Sequence, residues 1–113
     1  MKTFQQGAIV NLRFDPAEGR EQKGVRPAVV ISSDGFHVSQ LCIVCPLTST
    51  LHCFFGDVII EPAKENGLKK TSEVLCGHVR SVSRERIDSV VGHVTNAELE
   101  AIFKGIDILF GRV

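Results

Sequence analysis

Arg26 and Thr48 are the two side chains that the sequence best equips for chemistry on a phosphate. Arg26 directly precedes Pro27, which favours extended backbone at the arginine and anchors it where a charged loop meets an apolar run. Its guanidinium carries a planar fork of donors that matches a phosphate. Thr48 follows the apolar run of residues 41–47, so its hydroxyl is held at the end of a predicted strand. Such a pair could bind and polarise one phosphodiester.

Both positions also allow a purely structural role. Arg26 could form an ion pair with Glu21 or Asp34, and Thr48 could cap or turn the chain, as hydroxyls at strand ends often do. Residues 15–26 include three basic residues, three acidic residues and two glycines. This composition is typical of a binding loop on a rigid scaffold, or of a solvated hairpin tip. The residue pattern alone leaves these alternatives open.

Charge is balanced over the whole chain but uneven along it. Thirteen Lys and Arg residues stand against thirteen Asp and Glu residues, which excludes a basic field over the entire protein. Residues 1–26 and 80–86 each carry a local excess of positive charge, whereas residues 88–113 carry an excess of negative charge. One face could therefore be basic and suit a nucleic acid. His78 lies close to the second basic segment and could exchange a proton there, or be an ordinary surface or core residue.

The four cysteines do not predict a metal site. Cys42 and Cys45 form a CxxC pattern, but positions three apart on a strand face opposite sides and cannot share one ion. Because no apolar run is long enough to span a membrane and no secretory signal is visible, we expect a cytoplasmic protein with no membrane contact. Its thiols are then expected to be reduced, buried and inert. We expect neither a metal nor another cofactor.

The elements that must position these residues are short strands followed by one helix. Thr95 and Glu98 form a capping box, and apolar residues then recur at helical spacing as far as Gly111. Hydrophobic residues make up 43% of the chain, which excludes disorder for most of it. We predict one domain over residues 1–113, mainly β (α+β), with a closed or half-closed small barrel and a C-terminal helix. The predicted strands cover residues 7–14, 28–31, 41–47, 55–61, 73–82 and 88–94.

Several short segments, in consistent order along the chain, resemble the MazF/PemK-type toxins of toxin–antitoxin pairs. Each segment alone is weak evidence, and their joint occurrence from about residue 7 to residue 111 makes the resemblance specific. The segments are GAIV (7–10), FDP (14–16), GREQ (19–22), GVRPAVV (24–30), VCPLTS (44–49), GLKKTS (67–72), VLC (74–76) and VRSV (79–82).

The resemblance implies an SH3-like barrel of five to seven short strands with a C-terminal helix, usually a homodimer. It implies metal-independent cleavage of single-stranded RNA at short sequences, and neutralisation by a cognate antitoxin with an acidic, partly disordered tail. The residues that match the family's catalytic pair are Arg26 and Thr48, which their residue types had already singled out. Glu21 and Gln22 match a loop near substrate and antitoxin. The residues expected to contact RNA are Arg20, Glu21, Gln22, Lys23, Ser49, His78, Arg80, Arg84 and Arg86.

The chain departs from the family pattern at one place. Where many members read Cys-Asp-Gln, this sequence reads Cys76-Gly77-His78. In some relatives that aspartate is proposed as an acid/base group, a role that Gly77 cannot fill and that His78 could take. The segment after Thr48 differs widely within the family, so the resemblance implies no base preference.

Three other functions fit the same fold class. A CcdB-like toxin that binds DNA gyrase has the same architecture, but the match at Arg26 and Thr48 favours a nuclease. An SH3-like module that binds a peptide needs an aromatic groove, and the chain has seven Phe but no Trp or Tyr. A metal-binding domain is disfavoured by the cysteine spacing.

Overall fold

A computed structural model describes residues 4–13 and 25–112 of the chain. The described residues form seven strands, three short 3-10 segments and one C-terminal helix. The strands are β1 (Ala8–Arg13), β2 (Val25–Val30), β3 (Leu41–Thr48), β4 (Val58–Ile60), β5 (Ser72–Val74), β6 (Arg80–Ser83) and β7 (Ile87–His93), and the helix is α1 (Asn96–Leu109). The 3-10 segments are Asp34–Ser39, Cys76–His78 and Arg84–Arg86.

Strand β3 is the centre of the sheet because it pairs with three neighbours. It pairs with β2 along one edge, and with β6 and then β5 along the other edge. The pairings are antiparallel, and the strand order is β4-β5-β3-β2-β1-β7 with β6 beside β3. This order ends at β4 and β7 without joining them, so the barrel is half-closed. The predicted mainly β fold with a C-terminal helix is confirmed.

Strands β1, β2 and β3 bury side chains on both of their faces. Val10 and Val30 belong to one core, which lies on one side of the sheet. Ile9 and Val29 belong to a second core on the other side, where α1 covers the sheet with Ile102. Alternate side chains of a strand point to opposite faces, so each central strand contributes to both cores. Burial on both faces explains why β2 and β3 contain the continuous apolar runs of residues 28–31 and 41–47.

Helix α1 begins and packs as its sequence predicts. The Thr95 hydroxyl accepts a hydrogen bond from the Glu98 amide, and the Glu98 carboxylate accepts one from the Thr95 amide. This confirms the capping box. At Gly105 the helix touches the backbone of Gly56, and a Cβ at position 105 would overlap the Gly56 carbonyl oxygen and lie 2.9 Å from Cys76 Sγ. Only a glycine fits at this contact.

The predicted fifth strand, residues 73–82, is wrong as a single element. The chain instead forms β5 and β6, with the 3-10 turn Cys76–His78 between them. The Asp57 carboxylate accepts a hydrogen bond from the Cys76 amide and so holds the start of that turn. Strand propensity could not reveal this, because Asp57 lies 19 residues away along the chain. The predicted strand 55–61 is likewise shorter in the structure, where β4 covers three residues.

The cysteines divide between buried and exposed positions. Cys42 and Cys45 lie in different cores, which confirms that they face opposite sides of β3. Cys76 is also buried, but Cys53 is exposed, so the expectation of four buried thiols is wrong for Cys53. Within residues 4–13 and 25–112, no group of three or more His, Cys, Asp or Glu side chains could hold a metal ion. No helix in this part of the chain is long and apolar enough to cross a membrane.

Candidate active site

A groove rich in arginine, which we call the arginine groove, opens beside β2 and β6. Its volume is about 630 Å³. Four arginines and one histidine line it, above a floor that includes Ala28 and Val44 from the first core. The basic lining residues are Arg13, Arg26, His78, Arg80 and Arg86. A concave site with several guanidinium groups over an apolar floor suits a ligand that carries both phosphates and flat apolar rings.

Strand β2 holds Arg26 at the edge of this groove. Arg26 is the second residue of the strand, lies opposite Leu12 of β1 and is exposed. Pro27 is the third residue of β2 and lies opposite Asn11. The strand tolerates it because the φ of proline is compatible with extended backbone and only one amide donor is lost. The base of Arg26 is therefore fixed by the sheet, while its guanidinium borders the groove.

Thr48 ends β3, the strand beside β2. In the antiparallel register of β2 and β3, Ala28 lies opposite Pro46, and this register extended by two residues would place Arg26 opposite Thr48. Residues directly opposite on antiparallel strands have Cβ atoms about 5 Å apart. Thr48 is half-buried, does not line the arginine groove, and accepts a hydrogen bond of 3.1 Å from the Thr50 amide. It therefore has the local capping contact that the sequence also allowed.

The other predicted site residues fall into three groups. His78, Arg80 and Arg86 line the groove. Arg84 instead places its guanidinium over the Phe4 ring, 5.0 Å from the ring centroid, and Ser49 is exposed outside the groove lining. The residues of the charged loop, Arg20, Glu21, Gln22 and Lys23, lie outside the described residues.

Arg13 is a groove residue that the sequence analysis did not select. It ends β1 beside Arg26, donates a hydrogen bond to the Glu85 carbonyl oxygen and lies 3.9 Å from the Asp88 carboxylate. Its position at the end of an alternating strand was the available signal. Only the pairing of β1 with β2 and β7 shows that this end borders the groove.

A pair of carboxyl groups, the half-buried Asp57 and the fully buried Glu73, was also missed. Glu73 is fully buried in β5 and accepts hydrogen bonds from three consecutive backbone amides. The distances from its carboxylate oxygens are 2.6 Å to His52 N, 2.8 Å to Cys53 N and 3.2 Å to Phe54 N. A carboxylate that accepts several amide bonds is stabilised in its charged form. Glu73 therefore fixes the segment that follows Thr48.

The two carboxyl groups of this pair have opposite pKa shifts. Burial, followed by the interaction with Glu73, raises the pKa of Asp57 to about 6. Burial also opposes ionisation of Glu73, but the hydrogen bonds from Asp57 and from the three amides outweigh it and lower the pKa of Glu73 to about 2. Asp57 Oδ1 accepts the Cys76 amide at 3.0 Å, and Oδ2 is buried with no donor among the described atoms. Glu73 thus keeps its charge while Asp57 readily takes a proton.

A second groove, which we call the phenylalanine groove, joins the first at Gly77 and His78. Its volume is about 450 Å³. It lies between the segment that Glu73 fixes and the last turns of α1. A Cβ at Gly77 would meet nothing within 4 Å, so this position is open space between the two grooves. The lining residues are Phe54, Phe55, Asp57, Cys76, Gly77, His78, Gly105, Ile108 and Leu109.

Comparison with known proteins shows which family shares this arrangement. The model of the family described as PemK-like, MazF-like toxin of type II toxin–antitoxin system matches residues 5–110. The chain belongs to this family. The endoribonuclease toxin MazF of Escherichia coli K12 is 30% identical over 107 residues, which cover 93% of this chain and 92% of that protein. The endoribonuclease MazF9 of Mycobacterium tuberculosis H37Rv is 27% identical over 93% of this chain and 94% of its own.

Solved structures of family members have the same fold. A chain of the MazE–MazF crystal structure (Form-II) from Deinococcus radiodurans matches all of this chain with a TM-score of 0.82 and 29% identity, and is itself fully covered. MazF (Form-I) from the same organism matches with a TM-score of 0.79 and 29% identity, over 98% of this chain and 99% of that one. The family assignment made from the short segments is therefore confirmed over nearly the whole sequence.

Proposed function

We propose that the protein is the endoribonuclease toxin of a toxin–antitoxin pair and that it cleaves single-stranded RNA, such as mRNA, at a short sequence. The observation that carries this proposal is the arginine groove, which has Arg26 at its edge in a chain of this family. Relatives at 30% and 27% identity are named endoribonucleases. The reaction needs no metal in this proposal, because the guanidinium groups supply the positive charge that a phosphate requires.

The proposed reaction is an internal transfer. The ribose 2′-oxygen forms a bond to phosphorus while the bond from phosphorus to the 5′-oxygen breaks, which leaves a 2′,3′-cyclic phosphate and a 5′-hydroxyl. Arg26 stabilises the charge that grows on the non-bridging oxygens, and Thr48 orients the phosphate or the attacking hydroxyl. The 2′-hydroxyl loses one proton and the leaving oxygen gains one. His78 faces the groove where the family aspartate is replaced by Gly77, and it exchanges these protons.

Two partners follow from the same surfaces. An antitoxin with an acidic tail would cover the arginine groove by charge complementarity, and solved relatives include MazE–MazF complexes. A second copy of the chain would cover exposed apolar surface at the end of α1, where Phe110 is 66% exposed. A large apolar side chain left this exposed suits an interaction surface. The proposal is therefore a cytoplasmic homodimer held inactive by its antitoxin.

The test is to incubate the purified protein with single-stranded RNA in excess chelator, beside DNA of the same sequence. We expect RNA fragments that end in cyclic phosphate, and intact DNA because it lacks the attacking hydroxyl. RNA that stays intact would overturn the proposal in favour of a gyrase-binding toxin or a peptide-binding module. RNA cleavage that requires an added divalent ion would overturn the metal-independent mechanism.

A further inference from the structure

Two aromatic rings stack against each other directly after the strand that ends in Thr48. The imidazole of His52 and the ring of Phe54 lie 4.8 Å apart between centroids, with an angle of 2° between their planes. Both residues are exposed, and 55% of Phe54 remains accessible. The rings are parallel and stacked, and the exposed Phe54 offers a flat apolar ring face.

The backbone beneath these rings is held in place by a buried charge. The amides of His52, Cys53 and Phe54 all donate to the Glu73 carboxylate. Hydrogen bonds to a charged group are among the stronger ones in proteins, and here three of them converge on one fully buried side chain. The backbone that carries the ring pair is therefore held in place before any ligand arrives, which reduces the entropy cost of binding there.

The ring pair lies along a continuous path from the arginine groove. Phe54 lines the phenylalanine groove, which shares Gly77 and His78 with the arginine groove. A chain that places a phosphate beside Arg26 can therefore continue past His78 to Phe54. Single-stranded RNA has the matching chemistry, because it alternates phosphates with flat bases that stack on aromatic side chains.

We propose that His52 and Phe54 form a stacking platform for one unpaired base of the RNA, close to the cleaved phosphodiester. This inference rests on the proposed function and adds to it a residue pair that selects and positions the substrate. Stacking accepts every base but favours larger rings, so the platform contributes affinity and a modest base preference at one position. A second copy of this chain is the other possible occupant, and the experiments below separate it from RNA.

The first experiment measures binding of short single-stranded 2′-O-methyl RNA, which cannot be cleaved through its 2′-oxygen. We expect Phe54→Ala and Phe54→Leu to weaken binding by about 5- to 100-fold, the range that loss of one stacked base produces. Phe54→Trp should bind about as well as the wild type. Phe36→Ala is the matched control, because Phe36 is also exposed but lines neither groove. Circular dichroism checks that each variant is folded.

The second experiment maps the ends of RNA digested by the wild type and by Phe54→Leu, and measures their dimerisation by sedimentation. A changed base preference at one position next to the cut, with unchanged dimerisation, supports the platform. Wild-type binding and unchanged cut positions in Phe54→Leu would overturn it and leave the nuclease proposal standing. Weakened dimerisation in place of weakened RNA binding would assign the rings to a second copy. A wild type that neither binds nor cleaves RNA would overturn the proposed function itself.

Discussion

The arginine groove and the carboxyl pair of Asp57 and Glu73 use charge in opposite ways. The groove displays several guanidinium groups at its surface, where a ligand can reach them. Glu73 has no exposed surface, and its charged carboxylate accepts hydrogen bonds from the backbone amides of residues 52–54. The Asp57 carboxylate accepts a hydrogen bond from the Cys76 amide. The comparison separates two roles: cations line the groove that we propose binds RNA, and carboxyl groups hold the two segments that shape the grooves.

We expect the largest effect of a substitution at Arg26, and we expect it on the rate of RNA cleavage and not on stability. Because Arg26 is exposed and its proposed role is to stabilise charge in the transition state, Arg26→Ala should lower the rate of RNA cleavage by about 10²- to 10³-fold. Its free energy of unfolding should stay close to that of the wild type. Arg112→Ala is the control, since Arg112 is exposed and lines neither groove. Full cleavage by Arg26→Ala would remove this residue from the mechanism.

Removal of Glu73 should instead act on stability. Glu73→Ala leaves three amides without their acceptor, and each buried unpaired group costs on the order of 1 kcal/mol or more. We expect the free energy of unfolding, measured with urea near neutral pH, to fall by about 3 kcal/mol. The exposed Glu65→Ala should change it little. A loss as small as that of Glu65→Ala would mean that the buried carboxylate does not hold this segment.

Asp57 should give a smaller effect that depends on pH. Its pKa is raised to about 6, so its contribution to stability is present below its ordinary value near 4 and is lost as pH rises through about 6. Asp57→Asn imitates the protonated form, because the amide still accepts from Cys76 and donates toward Glu73. We expect it to raise the free energy of unfolding by about 1 kcal/mol at about pH 8, and to have little effect near pH 4.

Urea unfolding at both pH values measures this difference, and Asp107→Asn is the control, because the Asp107 side chain on α1 is about half exposed. Glu73 has the opposite sign, because its lowered pKa keeps its contribution above about pH 4 and loses it as pH falls toward about 2. Equal destabilisation by Asp57→Asn at both pH values would show that its charge, and not its proton, is needed in the folded protein.

The smallest effect is expected for an exposed ion pair at the groove edge. Arg13 and Asp88 lie 3.9 Å apart, with about half of each side chain exposed. Asp88→Asn should therefore change the free energy of unfolding by less than about 0.5 kcal/mol. It should strengthen RNA binding slightly at low salt, because one anion near the arginine groove is removed, and this gain should vanish at high salt. Weaker RNA binding at low salt would contradict this interpretation of Arg13.

The sequence predicted those features that depend only on residues close to one another along the chain. The capping box at Thr95 and the strand-edge position of Arg26 each depend on neighbours along the chain, and both appear in the structure. The break between β5 and β6 depends on a hydrogen bond from a residue far away in the sequence, so strand propensity missed it. A glutamate inside a strand gives no sign that three amides surround it. Buried carboxyl groups are therefore visible only after the strands have been paired.

The width of the phenylalanine groove is set by a direct contact between two backbone segments, at Gly105 of α1 and Gly56. Because no side chain separates helix from loop there, a single methyl group at position 105 would act as a wedge and move residues 54–57 outward. The Phe54 ring would move with them, although no atom that it touches had been replaced. To change which ligands this groove accepts, one would therefore first substitute the residue at this backbone contact, and only afterwards the aromatic residues that line the groove.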